Sequence, residues 1–164
     1  MEIVTRYRGW MSDELARLQE ESFERGGTAV RSSFAPERRL NALQLSRFLD
    51  GHVFAVAATT HPNATAHAAM TSYLRVGTEF WLPTTAGAVR IRNVETHPWL
   101  SLVVTEGERD SHVVVTAEGP AAVVSLDDAP HGLLDRLQDK SWVACWLKLT
   151  PARVFSYASA NVDI

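Results

Sequence analysis

Residues 81–93, WLPTTAGAVRIRN, combine the residue types that bind a phosphate group. A strand-like run ends at Pro83, and the hydroxyl groups of Thr84 and Thr85 follow it before a short helical segment begins. Free amide groups at a helix start point outward and favour an anion. Arg90 lies one turn into that helix, where a guanidinium makes paired, charge-assisted contacts with phosphate. The stretch therefore predicts an anion site.

Two further residues extend this pattern. Arg92 offers a second cation, and Asn93 has a side chain that can tie the helix to an adjoining strand. The same spacing also describes a capped surface helix whose arginines are simply solvated, because short basic helices are common. Spacing alone leaves both interpretations open.

Other kinds of chemistry have weaker support. The six histidines are scattered without a helix-spaced pair, and Cys145 is the only cysteine, so we predict no metal site. The chain has no Gly-x-Ser-x-Gly nucleophile motif. Trp81, Trp99, Trp142 and Trp146 could stack on a flat ring, although core or interface packing is the usual role of tryptophan. No residue is predicted to be catalytic.

Length and charge restrict the class of protein. The 164 residues fit one domain, and the net charge of −3 provides no general attraction for nucleic acid or an anionic membrane. No apolar run reaches the 18 or so residues of a membrane span, and no secretory leader is visible. We therefore expect a cytoplasmic protein that binds neither nucleic acid nor membrane.

The first fifty residues predict helices. One helix is expected from Ser12 to residue 25, where Gly26-Gly27 ends it. A second is expected from Pro36 to Gly51. Its predicted core face consists of Leu40, Leu43 and Phe48.

After residue 52 the hydrophobic period changes to that of strands. Strands are predicted at 53–59, 64–74, 78–83, 99–105, 112–124, 142–149 and 153–157, with a bend at Gly119-Pro120. Short helices are predicted at 88–96 and 127–140, the second with Leu133, Leu134 and Leu137 toward the core. Because strand follows strand without crossover helices, we predict a mainly β fold of about six antiparallel strands, a barrel or sandwich with peripheral helices.

The order of these features resembles the pyridoxamine 5′-phosphate oxidase-like family of FMN-binding split barrels. The resemblance runs from residue 45 to 157 and includes the opening strand at 53–59, with His67 just ahead of the next strand's centre. It implies a six-stranded antiparallel split barrel over residues 51–164. Residues 1–50 would then form a helical extension packed on the barrel.

The resemblance also implies a cofactor site. In that family the loop after the strand and the basic residue that matches Arg90 hold the flavin phosphate, while Ala69, Met70 and Thr71 match residues that lie against the isoalloxazine ring. The family's usual lysine is arginine here, and its usual Asp-Gly hairpin is Pro62-Asn63-Ala64. The implied cofactor-binding set is Ala69, Met70, Thr71, Trp81, Leu82, Pro83, Thr84, Thr85, Arg90 and Arg92.

The family's usual assembly is a homodimer with flavin mononucleotide (FMN) at the subunit interface. The resemblance thus implies a flavin-dependent oxidoreductase that acts on a small molecule. Two alternatives use the same scaffold: a reductase dependent on the deazaflavin F420, or a non-catalytic protein that binds flavin or haem. Additional cations beside the groove would favour F420, and Arg31, Arg38 and Arg39 are the candidates.

Overall fold

The structure is a computed structural model that describes residues 2–160 and 162, with side chains from residue 14 onward. Its helices are α1 (Glu2–Arg25), α2 (Thr28–Ser33), α3 (Ala42–Gly51) and α4 (Val89–Thr96). The strands are β1 (Phe54–Thr60), β2 (Ala66–Ser72), β3 (Leu74–Val76), β4 (Glu79–Thr84), β5 (Trp99–Glu108), β6 (Ser111–Val124), β7 (Cys145–Leu149) and β8 (Arg153–Ala158). Short 3₁₀ turns occur at Pro36–Arg38 and Leu134–Arg136.

All strand pairs described are antiparallel, in the order β2-β1-β5-β6-β7-β4-β3, with β8 also paired to β6. The long strand β6 pairs with β8 as far as Glu118 and with β7 from Ala121 onward. It therefore passes from one half of an open barrel to the other at the predicted bend. The mainly β, antiparallel split-barrel class is confirmed.

The sheet has eight strands rather than about six, because all seven predicted ranges form strands and one of them is divided. The backbone amide of Tyr73 still donates to Val53, which continues the β1–β2 pairing. Leu74, the next residue, pairs with Trp81 on β4 instead. Because the chain changes partner at this point, residues 64–74 form two strands.

The second predicted helix was placed too early. It begins after Asn41, whose side chain accepts from the Gln44 amide at 3.0 Å while the Gln44 side chain accepts from the Asn41 amide at 2.9 Å. This capping box fixes the start of α3, and Pro36 belongs to a separate 3₁₀ turn. Leu43 is 55% exposed, so its predicted place in the core is wrong; Leu45 and Leu49 are buried instead. Likewise, α1 begins at Glu2 and not at Ser12.

The helix predicted at 127–140 is wrong. Only the 3₁₀ turn at Leu134–Arg136 forms there, because Pro130 and Gly132, with φ of +76°, interrupt the leucine pattern. Leu133 is nevertheless buried, beside Trp81 and Trp146, in a small second core separate from the main one. The residues from 125 to 144 thus cover the barrel as an irregular strap, and β7 begins only at Cys145.

Buried hydrogen bonds join the N-terminal helices to the barrel. The Ser156 hydroxyl on β8 donates to Gln19 Oε1 at 2.5 Å and accepts from the Leu40 amide at 2.9 Å. Gln19 Nε2 donates to the Leu40 carbonyl at 2.8 Å, and Ser22 Oγ accepts from the Val154 amide at 2.9 Å. The division of the chain at residue 50 stays a prediction.

We expect Ser156→Ala to lower the free energy of unfolding by about 1–3 kcal/mol. The substitution leaves the Leu40 amide and Gln19 Oε1 buried without this partner, and an unsatisfied buried polar group carries a penalty of that order. Urea denaturation followed by circular dichroism measures the change. Ser111→Ala, at an exposed position on the same sheet, should stay within about 0.5 kcal/mol of the native protein. Equal stability of the two variants would contradict this role for Ser156.

Within the described residues, no helix has both the length and the apolar character of a membrane span. The cytoplasmic location stays a prediction.

Candidate functional site

The start of α4 is open to solvent and has no side-chain cap. β4 ends at Thr84, and Gly87 turns the chain with φ of +73°. The N-cap residue is Ala88, which provides no side-chain acceptor for the amides of the first turn. No atom lies within 4 Å of the position where a Cβ on Gly87 would be. The positive end of this helix is therefore accessible to an anion.

Arg90 lies half-buried on the inner side of α4. Its Nη2 donates to the Pro83 carbonyl at 3.2 Å, whereas its buried Nε has no hydrogen-bond partner among the described residues. Desolvation lowers the pKa of the guanidinium, and the nearby Cys145 acts in the opposite direction. A desolvated cation with an unpaired donor is poorly satisfied by the protein alone. It would be better satisfied by an anion.

Arg92 points to a different side of the helix. It is exposed and lines a cavity of about 440 Å³ between α4 and the β1–β2 turn. The helix start at residues 87–89 and the turn residues His61 and Pro62 line the same cavity, but Arg90 does not. Residues two apart on a helix are separated by about 200°. The structure therefore places Arg92, but not Arg90, in the cavity at the helix start.

Asn93 anchors α4 to the sheet. The residue is fully buried, and its Nδ2 donates to Thr59 Oγ1 on β1 at 2.9 Å. The predicted link from helix to strand is confirmed. This bond positions the arginines of α4 relative to the β1–β2 hairpin.

The residues before the loop point into the protein. The side chains of Trp81, Leu82, Pro83 and Thr84 are buried, and the Thr84 hydroxyl donates to the Leu82 carbonyl at 3.0 Å. Thr85, by contrast, is exposed. Of the two threonines, Thr85 is thus the one that offers a hydroxyl group to a bound molecule.

The tryptophans divide between core and surface. Trp81 and Trp146 pack edge to face in the second core, with ring centroids 6.4 Å apart. Trp99 and Trp142 are each more than 40% exposed. Trp81 therefore has a packing role in this chain.

The three predicted ring residues lie on β2, which pairs with β1 and otherwise forms the edge of the sheet. Thr71 is buried and Ala69 half-buried, whereas Met70 is 74% exposed. This alternation is the period of a strand, so Met70 faces the opposite side of the sheet from the other two. The three residues do not present one common surface within a single chain.

Sequence reasoning did not place His61 beside His67. The rings of His61 and His67 lie 5.1 Å apart, and His61 lines the cavity at α4. Only the hairpin register, which pairs His67 with Thr59, would have shown this proximity. Cys145 pairs with Thr84 across the β4–β7 ladder, and burial raises the pKa of its thiol. The described part of the chain contains no cluster of metal-ligating side chains.

The chain is similar to known proteins over most of its length. The family described as Pyridoxamine 5′-phosphate oxidase matches residues 44–160, which include both β2 and α4. No curated protein sequence matches the chain.

Solved structures with a similar fold have low sequence identity. A conserved hypothetical protein of Mycobacterium tuberculosis has a TM-score of 0.64 at 18% identity, over 76% of this chain and 89% of that one. An FAD-binding protein of Mesorhizobium loti has a TM-score of 0.60 at 16% identity, over 76% and 97%. The haem storage protein HutZ of Vibrio cholerae has a TM-score of 0.56 at 14% identity, over 71% and 93%. At these identities the likeness establishes the fold.

Proposed function

The chain belongs to the pyridoxamine 5′-phosphate oxidase family, and on that basis we propose that it binds FMN and uses it to oxidise or reduce a small molecule. The observation that carries the proposal is the unpartnered, buried Nε of Arg90 next to the uncapped start of α4. Both features favour an anion at the same turn of the chain.

The residues present fit a flavin phosphate. The first-turn amides of α4, the Thr85 hydroxyl and the guanidinium group of Arg90 would hold it, whereas Arg92 faces the neighbouring cavity from a different side of the helix. The Thr84 hydroxyl already donates a hydrogen bond to the Leu82 carbonyl. Thr84 would therefore contribute only through the course of its backbone. Bound flavin supplies the hydride chemistry, and the protein's part is to position the ring and exclude water.

The ring is proposed to lie along β2, against Ala69, Met70 and Thr71. Ala66, Ala68 and Ala69 keep this strand free of bulky side chains along most of its length. Met70 faces away from Ala69 and Thr71. Its side chain would therefore contact a ring bound in the partner subunit's site, or its backbone would contact the ring bound in its own.

A homodimer is part of the proposal. Phe54, Val56, Met70 and Trp99 are large, exposed and apolar, and Val56 lies directly opposite Met70 in the β1–β2 register. Phe54, two residues before Val56, shares its face of the sheet. An exposed apolar patch of this kind is typical of a protein interface. A second copy of the chain would cover it and complete the cofactor site between the subunits.

We expect Met70→Glu to convert the dimer to monomer, since a charge in the centre of an apolar interface must be desolvated without a partner. Sedimentation velocity measures the change directly. Glu24, an exposed residue on α1, provides the matched control: Glu24→Met should leave the mass unchanged. A native protein that is monomeric at high micromolar concentration would contradict the proposed assembly.

Of the two alternatives, haem has specific support and F420 does not. Two haem-binding proteins share this fold, from Vibrio cholerae and Mycobacterium smegmatis, and the His61–His67 pair is a potential iron-binding group beside the cavity at α4. F420 would need additional cations near the same cavity. Arg38 and Arg39 instead line a separate cavity of about 180 Å³ near residues 158–160.

Separate titrations of the purified protein with FMN, F420 and haem test the proposal. We expect FMN fluorescence to be quenched to saturation at one FMN per chain, with tighter binding than F420. A shifted Soret band at one haem per chain, with no saturable FMN binding, would instead establish the haem alternative. Tighter binding of F420 than of FMN would establish the deazaflavin.

A further inference from the structure

A second and larger cavity, of about 610 Å³, lies at the opposite end of the β1–β2 hairpin from α4. The end of α3, strand β3 and Arg136 from the strap line it, and it shares no lining residue with the cavity at α4. Eight residues of strand separate Val53, at this cavity, from His61, at the other, which corresponds to roughly 26 Å. The two cavities are therefore distinct places on the molecule.

The walls of this second cavity combine apolar and polar side chains. Leu49 is fully buried, and Leu74 and Val76 are half-buried side chains of β3. Tyr73 is buried too, with its hydroxyl donating to the Leu49 carbonyl at 2.6 Å. Burial, and next the charge of Asp50, raise the pKa of this phenol, so it remains neutral. The apolar part of the wall thus suits an apolar group.

One of the cations at the cavity is already neutralised. Arg75 donates to both carboxylate oxygens of Asp50, at 2.9 and 2.7 Å, and to the Gly77 carbonyl at 2.7 Å. This bidentate pair ties α3 to β3 and fixes the spacing of the cavity walls. His52 also has partners: its Nδ1 lies 2.7 Å from the Phe48 carbonyl oxygen, and its Nε2 lies 3.2 Å from a carboxylate oxygen of Glu106.

Arg136 is different. It donates to the Arg75 carbonyl at 3.2 Å but forms no ion pair with any carboxylate of the described residues. Its exposed guanidinium therefore leaves one uncompensated positive charge at the rim of a cavity whose walls are partly apolar. A ligand with an apolar body and a single anionic group would satisfy both features.

We infer that this cavity binds a small molecule that has an apolar, ring-sized body and one carboxylate-like negative charge, with Arg136 as the anion-binding residue. The volume lies within the range typical of small-molecule sites, about 300–1,000 Å³. The planar guanidinium can make a paired contact with a carboxylate.

The position of the cavity suggests a role for the ligand. The Tyr73 amide continues the β1–β2 ladder, so its side chain lies on the same face as Ala69 and Thr71. A molecule in the cavity would be next to the residues proposed to line the flavin. The role of this molecule as the substrate rests on the proposed function. The binding of the molecule to the cavity does not.

The test uses two probes of equal size, 2-naphthoate and the neutral 2-naphthamide, titrated into the 164-residue protein by calorimetry. We expect one site per chain and at least roughly tenfold tighter binding of the carboxylate, as one charge-assisted contact provides. In Arg136→Gln this preference should disappear. Arg47→Gln, which removes an exposed arginine of α3 outside the cavity lining, should retain it. Equal binding of both probes to the native protein would overturn the inference.

A second variant tests the location. Val53 is 58% exposed at the cavity, so Val53→Trp can block the cavity without entering the core. It should weaken both probes at least tenfold, and unchanged affinity would place the probes elsewhere and overturn the assignment. FMN affinity is measured on the same samples. If the native protein binds FMN but does not prefer naphthoate, only this site is contradicted. If it prefers naphthoate but does not bind FMN, only the proposed function is contradicted.

Discussion

Gly119→Ala is expected to lower the free energy of unfolding by more than about 3 kcal/mol, beyond the usual range for one added methyl group. Gly119 lies at the bend of β6, and a Cβ there would meet the Thr150 carbonyl oxygen at 2.3 Å and the Ala152 nitrogen at 2.6 Å. Both contacts are with backbone, which cannot rotate away as a side chain would.

The neighbouring hydrogen bonds hold that backbone in place. The Ala152 amide donates to Glu118 at 2.8 Å, and the Thr150 amide donates to Pro120 at 3.0 Å. Any movement of the β7–β8 turn that relieves the clash breaks these bonds, at the junction between the two halves of the barrel.

Urea denaturation measures this effect, with Gly51→Ala as the matched control. No atom lies within 4 Å of a Cβ on Gly51, the last residue of α3, and alanine favours a helix by about 0.5–1 kcal/mol over glycine. The control should therefore be neutral or stabilising. A Gly119→Ala protein as stable as the native one would show that the close approach at the bend is not required.

Arg90→Ala is expected to weaken FMN binding by roughly 10- to 150-fold, the equivalent of about 1.5–3 kcal/mol for a hydrogen bond to a charged group. The variant loses the buried, unpartnered Nε and the local positive charge. Riboflavin, which has no phosphate, should bind the variant and the native protein equally well. Fluorescence quenching of each flavin gives both affinities.

Two variants make the result specific. Arg90→Lys keeps the charge but has no paired donors, so it should show an intermediate loss. Arg47→Ala removes a surface arginine remote from α4 in the chain and should bind FMN as the native protein does. Unchanged FMN affinity in Arg90→Ala would contradict the proposal that Arg90 binds the phosphate of FMN.

The barrel was predictable because alternation along single strands depends on local sequence. β6 changes its strand partner at Gly119-Pro120, where the sequence predicted a bend, and the short helix α4 lies where it was predicted. The helix predicted at 127–140 does not form. The prediction gave more weight to the leucine spacing than to Pro130 and Gly132, which interrupt a helix. Those leucines contact the second core from an irregular strap, and tertiary packing decides that outcome.

The candidate site was only partly predictable for a similar reason. Helical periodicity alone could have separated Arg90 from Arg92, and strand periodicity could have separated Met70 from Ala69 and Thr71. Other features depend on contacts remote in sequence. The Arg75–Asp50 pair joins residues 25 apart and shapes a cavity that no local pattern indicates.

The central claim is that the start of α4 binds the phosphate of FMN, and the ratio of FMN to riboflavin affinity in the native protein tests it most directly. The two flavins share the same ring, so the ratio isolates the phosphate. We predict that FMN binds at least roughly tenfold more tightly than riboflavin and that added salt reduces the ratio. Equal affinities, or riboflavin binding more tightly, would contradict the claim.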